Sequence, residues 1–87
     1  MAVRSTSGAS AKLAAERASL RALRLGLGKT QVEMAELLET NQGEVSRIER
    51  RQDLMLSTMR RYAEALGARC EIAFVFRGGR RVRVVVP

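Results

Sequence analysis

Residues 30–51 read Thr30-Gln31-Val32-Glu33-Met34-Ala35-Glu36-Leu37-Leu38-Glu39-Thr40-Asn41-Gln42-Gly43-Glu44-Val45-Ser46-Arg47-Ile48-Glu49-Arg50-Arg51, and the fold turns on this stretch. It holds two helix-start signals close together. Thr30-Gln31-Val32-Glu33 has the form of a capping box, in which the hydroxyl and the carboxylate each satisfy an orphan backbone N–H. Asn41-Gln42-Gly43-Glu44 repeats that logic, with Asn as N-cap and an acid at the third helical position. Between the two starts, Met34, Ala35, Leu37 and Leu38 supply a buried face, and Glu39-Thr40 makes a short turn. After the second start, Val45 and Ile48 sit three apart and face inward. The spacing predicts two short helices joined tightly, either as a helix–turn–helix or as an ordinary αα-hairpin in a small bundle.

Upstream, a helix is expected from about Ser10 to Gly26. Ala11, Ala14, Ala15, Ala18 and Ala22 are strong helix formers. Leu13, Leu20, Leu23 and Leu27 repeat near the helical period, and Gly26 and Gly28 end the run. Downstream, residues 50–56 read as a loop and Ser57 as the N-cap of a further helix. Met59, Tyr62, Ala63 and Leu66 form its core face, and Gly67 stops it.

After Gly67 the period changes from helix to strand. EIAFVF (71–76) and RVRVVV (81–86) flank Arg77-Gly78-Gly79-Arg80. A two-residue turn at Gly78-Gly79 would set Phe76 and Phe74 opposite Arg81 and Arg83. A three-residue loop, Gly78 to Arg80, sets Phe76, Phe74 and Ile72 opposite Val82, Val84 and Val86, with apolar residues on one face. The second register is preferred on that ground. Glu71, Ala73, Val75, Arg77, Arg81, Arg83 and Val85 then share the other face. A lone two-stranded hairpin is marginal in water, and an apolar edge invites pairing. Ile72, Phe74, Phe76, Val82 and Val84 are therefore expected to form a dimerisation surface, the competing arrangement being a hairpin folded back on its own helices.

The chain has 87 residues, enough for one small domain with a thin core. It carries 16 basic and nine acidic side chains, for a net charge of +7. The excess lies at the two ends. Residues 1–27 carry five basic groups against Glu16, and residues 67–87 carry five against Glu71, whereas residues 28–66 are close to neutral. Such an excess attracts polyanions, unless it is only a solvated surface. The arginines at 77–83 fit DNA flanks, an acidic partner or a solubilised edge equally well. No apolar run approaches the ~18 residues of a membrane span. MAVRSTSGASAK (1–12) has no apolar h-region, and residues 1–10 are expected to be a disordered basic arm.

Catalysis finds little support. Histidine is absent and Cys70 is the one cysteine, which leaves no disulfide and no metal-ligand spacing. There is no nucleophile–base set and no phosphate-cradling loop, so no enzyme activity, metal or cofactor is expected. Cys70, at the helix–strand junction, reads as a small buried apolar residue.

What remains is the second helix of the pair. Laid in a major groove, its exposed N-terminal residues Gln42, Gly43, Glu44, Ser46 and Arg47 meet base edges. Gln pairs bidentately with adenine, Arg with guanine, and Glu accepts from cytosine. Gln31 sits where a side chain and helix-end N–H groups can grip phosphate. Arg50 and Arg51 are either phosphate contacts or a charged loop.

TQVEMAELLETNQGEVSRIERR resembles the helix-turn-helix of the XRE group, the Cro and phage-repressor type. The following DLMLSTMRRYAEALG and the terminal strands resemble its branch of HigA-like antitoxins and autoregulators. The resemblance covers about residues 19–77. It implies a mainly α, lambda-repressor-like domain of four to five helices at residues 11–67, followed by C-terminal β-strands at 68–87 used for dimerisation. It implies phosphate contact at Gln31 and Asn41, base reading at Gln42, Gly43, Glu44 and Arg47 with Ser46 nearby, and a structural ion pair between Arg24 and Glu49. Two positions depart from the pattern. The turn normally has glycine followed by an apolar residue where Glu39 and Thr40 stand, which puts Glu39 in a left-handed conformation at a cost of about 1 kcal/mol. Gly43 brings no side chain to a usual reading position. The expected function is a homodimeric, cytoplasmic, nucleoid-associated regulator that binds a pseudo-palindromic double-stranded DNA operator and represses its own operon. The alternative is an antitoxin that neutralises a small toxin protein by direct contact. No membrane role is expected.

Overall fold

The computed structural model describes residues 17–86. Among the described residues, four helices are followed by one antiparallel strand pair: α1 (Leu20–Gly26), α2 (Gln31–Leu37), α3 (Gln42–Arg50), α4 (Leu56–Ala65), β1 (Ile72–Val75) and β2 (Arg81–Val84). The described residues fall into two compact units, one ending at Arg51 and one beginning at Gln52.

The first unit is the three helices α1 to α3. Its apolar core is Met34, Ala35 and Leu38 of α2 with Val45 and Ile48 of α3. Met34 and Val45 are fully buried. Leu37 departs from expectation and is 53% exposed. At about 100° per residue, Met34, Ala35 and Leu38 share an arc that Leu37 lies outside. Leu27 is also exposed, because it caps α1 rather than continuing its stripe. Among the described residues the expected long first helix begins only at Leu20. Residues 17–19 are not helical, and Ser19 caps α1 by accepting from Ala22 N–H at 3.0 Å. A serine that bonds a nearby backbone N–H favours a helix start over a helix interior. Leu13 and the alanines before residue 17 lie outside the described residues, as does the basic arm.

All three loops that leave α1, α2 and α4 close with the same pair of hydrogen bonds, a Schellman motif. After α1, Gly28 N–H donates to Leu25 O and Lys29 N–H to Arg24 O. After α4, Gly67 N–H donates to Glu64 O and Ala68 N–H to Ala63 O. Gly28 and Gly67 take the positive φ this requires, +74° and +78°. After α2 the same bonds run from Glu39 N–H to Glu36 O and from Thr40 N–H to Ala35 O, and here a glutamate holds φ +57°. The left-handed strain expected at Glu39 is therefore present. Glu39→Gly should raise stability by about 1 kcal/mol, or Tm by roughly 4–8 °C, in a thermal melt. Glu39→Ala, which keeps a Cβ, should give no comparable gain.

In the second unit, α4 starts at Leu56 with Met55 as its N-cap, and no side chain caps it. Ser57 is not the cap; it lies exposed in the first turn. The earlier start places the half-buried Leu56 on the same face as Met59, Ala63 and Leu66, so packing of a leucine stands in for a cap bond. Tyr62 is the fully buried residue of this helix.

The hairpin pairs Ile72 with Val84, Ala73 with Arg83, Phe74 with Val82 and Val75 with Arg81. The loop has three residues, but they are Arg77, Gly78 and Gly79, and Phe76 N–H donates to Arg80 O at 2.8 Å. The loop thus begins one residue before the expected Gly78 to Arg80, and the register differs by two. Gly78 and Gly79 both sit at φ +93°, and this loop puts each glycine at a position that other residues adopt poorly. A shift of two keeps every side chain on its face, so the apolar face survives: Ile72 and Phe74 lie opposite Val84 and Val82. The opposite face carries Ala73, Val75, Arg81 and Arg83, with Glu71 beside Arg83 at 3.8 Å and Arg69 at 3.2 Å. Cys70 is half-buried rather than buried.

Candidate nucleic-acid interface

Glu33 and Thr30 form the full capping box at the start of α2. Glu33 N–H donates to the Thr30 hydroxyl at 3.0 Å, and Thr30 N–H donates to the Glu33 carboxylate at 2.7 Å. That backbone bond, then the hydroxyl, holds the Glu33 carboxyl below the usual glutamate range. The start of α3 has only half of the arrangement. Asn41 accepts from Glu44 N–H at 2.8 Å, but the Glu44 carboxylate turns along the helix to Arg47, also at 2.8 Å. A cation one turn away outcompetes the uncharged N–H of residue 41.

Val45 and Ile48 fix which side of α3 is buried. The opposite side then presents Gly43, Ser46, Arg47 and Arg50, with Gln42 and Glu44 at its two margins. Gly43, Arg47 and Arg50 are exposed, and Ser46 and Glu44 are half-buried. The sequence-derived set is thus brought onto one face, with Asn41 at its leading end and Arg51 closing the helix. A Cβ on Gly43 would sit 3.3 Å from the capping oxygen of Asn41. A side chain there would press on the cap itself, so the glycine serves the helix start.

The Glu44–Arg47 pair has side chains 37% and 58% exposed. Such a pair is worth about 0–1 kcal/mol. A bidentate arginine–guanine contact discriminates by about 1–3 kcal/mol, so Arg47 can leave Glu44 for a base.

Beneath this face lies the ion pair of Arg24 and Glu49, with side chains 5% and 3% exposed. Arg24 Nε donates to Glu49 Oε2 at 2.7 Å and Nη2 to Oε1 at 3.2 Å, while Nη1 donates to Lys29 O at 2.8 Å. One residue thereby ties the end of α1 to the end of α3 and to the loop before α2. Two further bonds had no sequence signal. Gln31 Nε2 donates to Glu49 Oε1 at 3.2 Å, and Gln42 Nε2 donates to Gln31 Oε1. Two glutamines eleven residues apart meet only because the turn brings both helix starts side by side.

The chain matches the helix-turn-helix family over residues 20–72, more than half its length. It belongs to the XRE-type helix-turn-helix family. Its motif is α2, the Glu39 turn and α3. A comparison with curated proteins finds no significant match. Among solved structures, this helix-turn-helix protein is similar to a DNA-bound antitoxin, HigA3, with 27% identity and a TM-score of 0.70, covering 83% of this chain and 95% of that one. It is also similar to a HigA antitoxin described as inducing DNA bending through a unique dimerization, with 28% identity and a TM-score of 0.70, covering 82% and 96% of the two chains. Among the described residues of the helix-turn-helix chain, no helix is long and apolar enough to cross a membrane.

Proposed function

We propose that the chain is a homodimeric, sequence-specific DNA-binding regulator that acts in the cytoplasm on the nucleoid and represses its own operon, as a binding protein and not an enzyme. The observation that carries this is the outward face of α3. It presents hydrogen-bonding side chains at a helix start, on a helix held rigidly by Val45, Ile48 and the Arg24–Glu49 pair. In this reading Gln42, Glu44 and Arg47 read bases, Gly43 lets the backbone approach closely, and Ser46 lies alongside. Gln31, Asn41, Arg50 and Arg51 grip phosphates. The exposed apolar face of the hairpin joins two chains. Their α3 helices then enter successive major grooves about 34–36 Å apart on a pseudo-palindrome. The domain plan that fits is a basic arm at 1–10, a DNA-binding domain at 11–67 and dimerising strands at 68–87.

Likeness to two HigA antitoxins favours a second, compatible role, neutralisation of a small toxin by direct contact. Co-purification of the protein encoded by the adjacent reading frame tests that role.

Selection of bound duplexes from a random pool tests the DNA reading, and a two-fold symmetric consensus is the expected result. Arg47→Ala should relax preference at one base pair per half-site. Arg51→Ala should weaken binding to all duplexes alike and lower the salt slope by about 1. Equal losses on consensus and random DNA for Arg47→Ala would argue against base reading there.

A further inference from the structure

We infer that Glu49 sets the hydrogen-bonding polarity of the edge that Gln42 turns toward DNA, acting through Gln31. The inference rests on the base-reading role proposed above for Gln42 and makes Glu49 a positioning residue for specificity. An amide side chain turned end for end keeps its shape and exchanges a donor for an acceptor. An exposed glutamine left alone therefore offers either edge to a base. Here a fixed charge removes that freedom.

An ionised carboxylate only accepts. Glu49 is held by Arg24 through Nε at 2.7 Å and Nη2 at 3.2 Å, and it is deeply buried. Gln31 lies 3.2 Å from Oε1, so it must turn its NH2 group inward. Its carbonyl oxygen then faces Gln42. That oxygen can only accept, so Gln42 supplies an N–H to it. What remains on Gln42 is its own carbonyl oxygen and its second N–H, one acceptor and one donor. Adenine presents the complementary pair in the major groove, the N6 amino group and N7. Guanine presents two acceptors, O6 and N7, and would leave the Gln42 oxygen facing another oxygen. The buried pair thus biases the site toward adenine, although neither Arg24 nor Glu49 lies on the outward face.

Glu49→Gln should reverse the series. Its carbonyl keeps the short contact to Arg24 Nε, which puts its NH2 group where Oε1 stood and gives up the longer contact from Arg24 Nη2. Gln31 must then accept, and so turns its own NH2 outward. Gln42 accepts in turn and presents two donors, which suit guanine.

The test is duplex selection from a random pool with four chains. Gln42→Ala identifies the base pair that Gln42 reads. Wild type should prefer A·T over G·C there by roughly tenfold, within the 1–3 kcal/mol of a bidentate contact. Glu49→Gln should invert or abolish that preference at this base pair alone. Gln31→Leu leaves the buried ion pair intact, so it keeps the test valid where Glu49→Gln fails to fold. It should bring the two base pairs to within about threefold of each other by freeing the Gln42 amide, whatever uniform affinity it loses with a phosphate contact. If wild type selects no sequence, the DNA-reading proposal fails and this inference fails with it. If wild type selects a site but Gln31→Leu, or folded Glu49→Gln, keeps the original ratio at the Gln42 base pair, this inference alone is overturned.

Discussion

Glu49→Ala should bring the helix-turn-helix unit to the edge of unfolding. Truncation leaves the Arg24 guanidinium buried, with the Lys29 carbonyl as its remaining partner from this constellation. Removing one member of a buried ion pair costs about 3–5 kcal/mol, because the survivor keeps its desolvation penalty and loses its counter-charge. Small domains have total stabilities near the low end of roughly 5–15 kcal/mol. At roughly 4–8 °C per kcal/mol for a chain of this size, Tm should fall by about 12–40 °C in a melt followed by circular dichroism. A drop under about 5 °C would mean that water reaches Arg24 and that the pair does not clamp α1 to α3. The paired replacement Arg24→Met with Glu49→Leu should recover much of the loss, since it removes both charges from the interior. Glu44→Ala breaks an ion pair of similar length, 2.8 Å, on the surface, and should move stability by under about 1 kcal/mol. Distance does not separate the two cases; burial does.

The parts of this molecule that were legible in the sequence are those fixed by local chemistry. The Thr30 capping box, the glycine stop at Gly67 and the inward pair Val45 and Ile48 each depend on neighbours within one or two turns, and each stands where it was read. The left-handed Glu39 was legible only through the family resemblance, because it stands where that pattern carries glycine. The misreadings share a cause: two local signals competed and the packing decided. Ser57 was the better cap, but bringing the half-buried Leu56 onto the apolar face mattered more. Gly78 and Gly79 fit either of two three-residue loops, and their φ requirements selected the earlier one. Face assignments survived that error because side chains alternate with a period of two. Glu44 was expected to reach back to residue 41, yet Arg47 holds it. The Gln31–Gln42 contact had no period or motif to announce it, being a product of the turn geometry alone. The Arg24–Glu49 pair was legible only through family resemblance, since the two residues lie 25 positions apart.

The second large effect concerns the hairpin. Phe74→Glu should convert the proposed dimer into a monomer and lower affinity for a two-half-site duplex by at least about 100-fold. Phe74 is 59% exposed, Phe76 48% and Val82 38%, side by side on one face of a sheet of only two strands. Arg80 covers part of this face, its guanidinium 5.4 Å from the centre of the Phe76 ring, and leaves Phe74 open. Burying a phenylalanine side chain stabilises by about 1.5–3 kcal/mol, and a two-fold interface counts every substitution twice. Roughly 3–6 kcal/mol of association is therefore at stake before the repulsion of two facing carboxylates is added. DNA binding amplifies the loss. Two α3 helices carried by one dimer engage their half-sites as one ligand, whereas separate chains must each bind alone. Sedimentation gives the mass of the variant, and titration against duplexes with one and two half-sites separates the consequences. Affinity for a single half-site should be nearly unchanged, because Phe74 lies far along the chain from α3 and outside its unit. A variant that remains dimeric would move the interface off this face. A monomeric variant that still binds two half-sites as tightly as the wild type would remove the need for two chains on one operator.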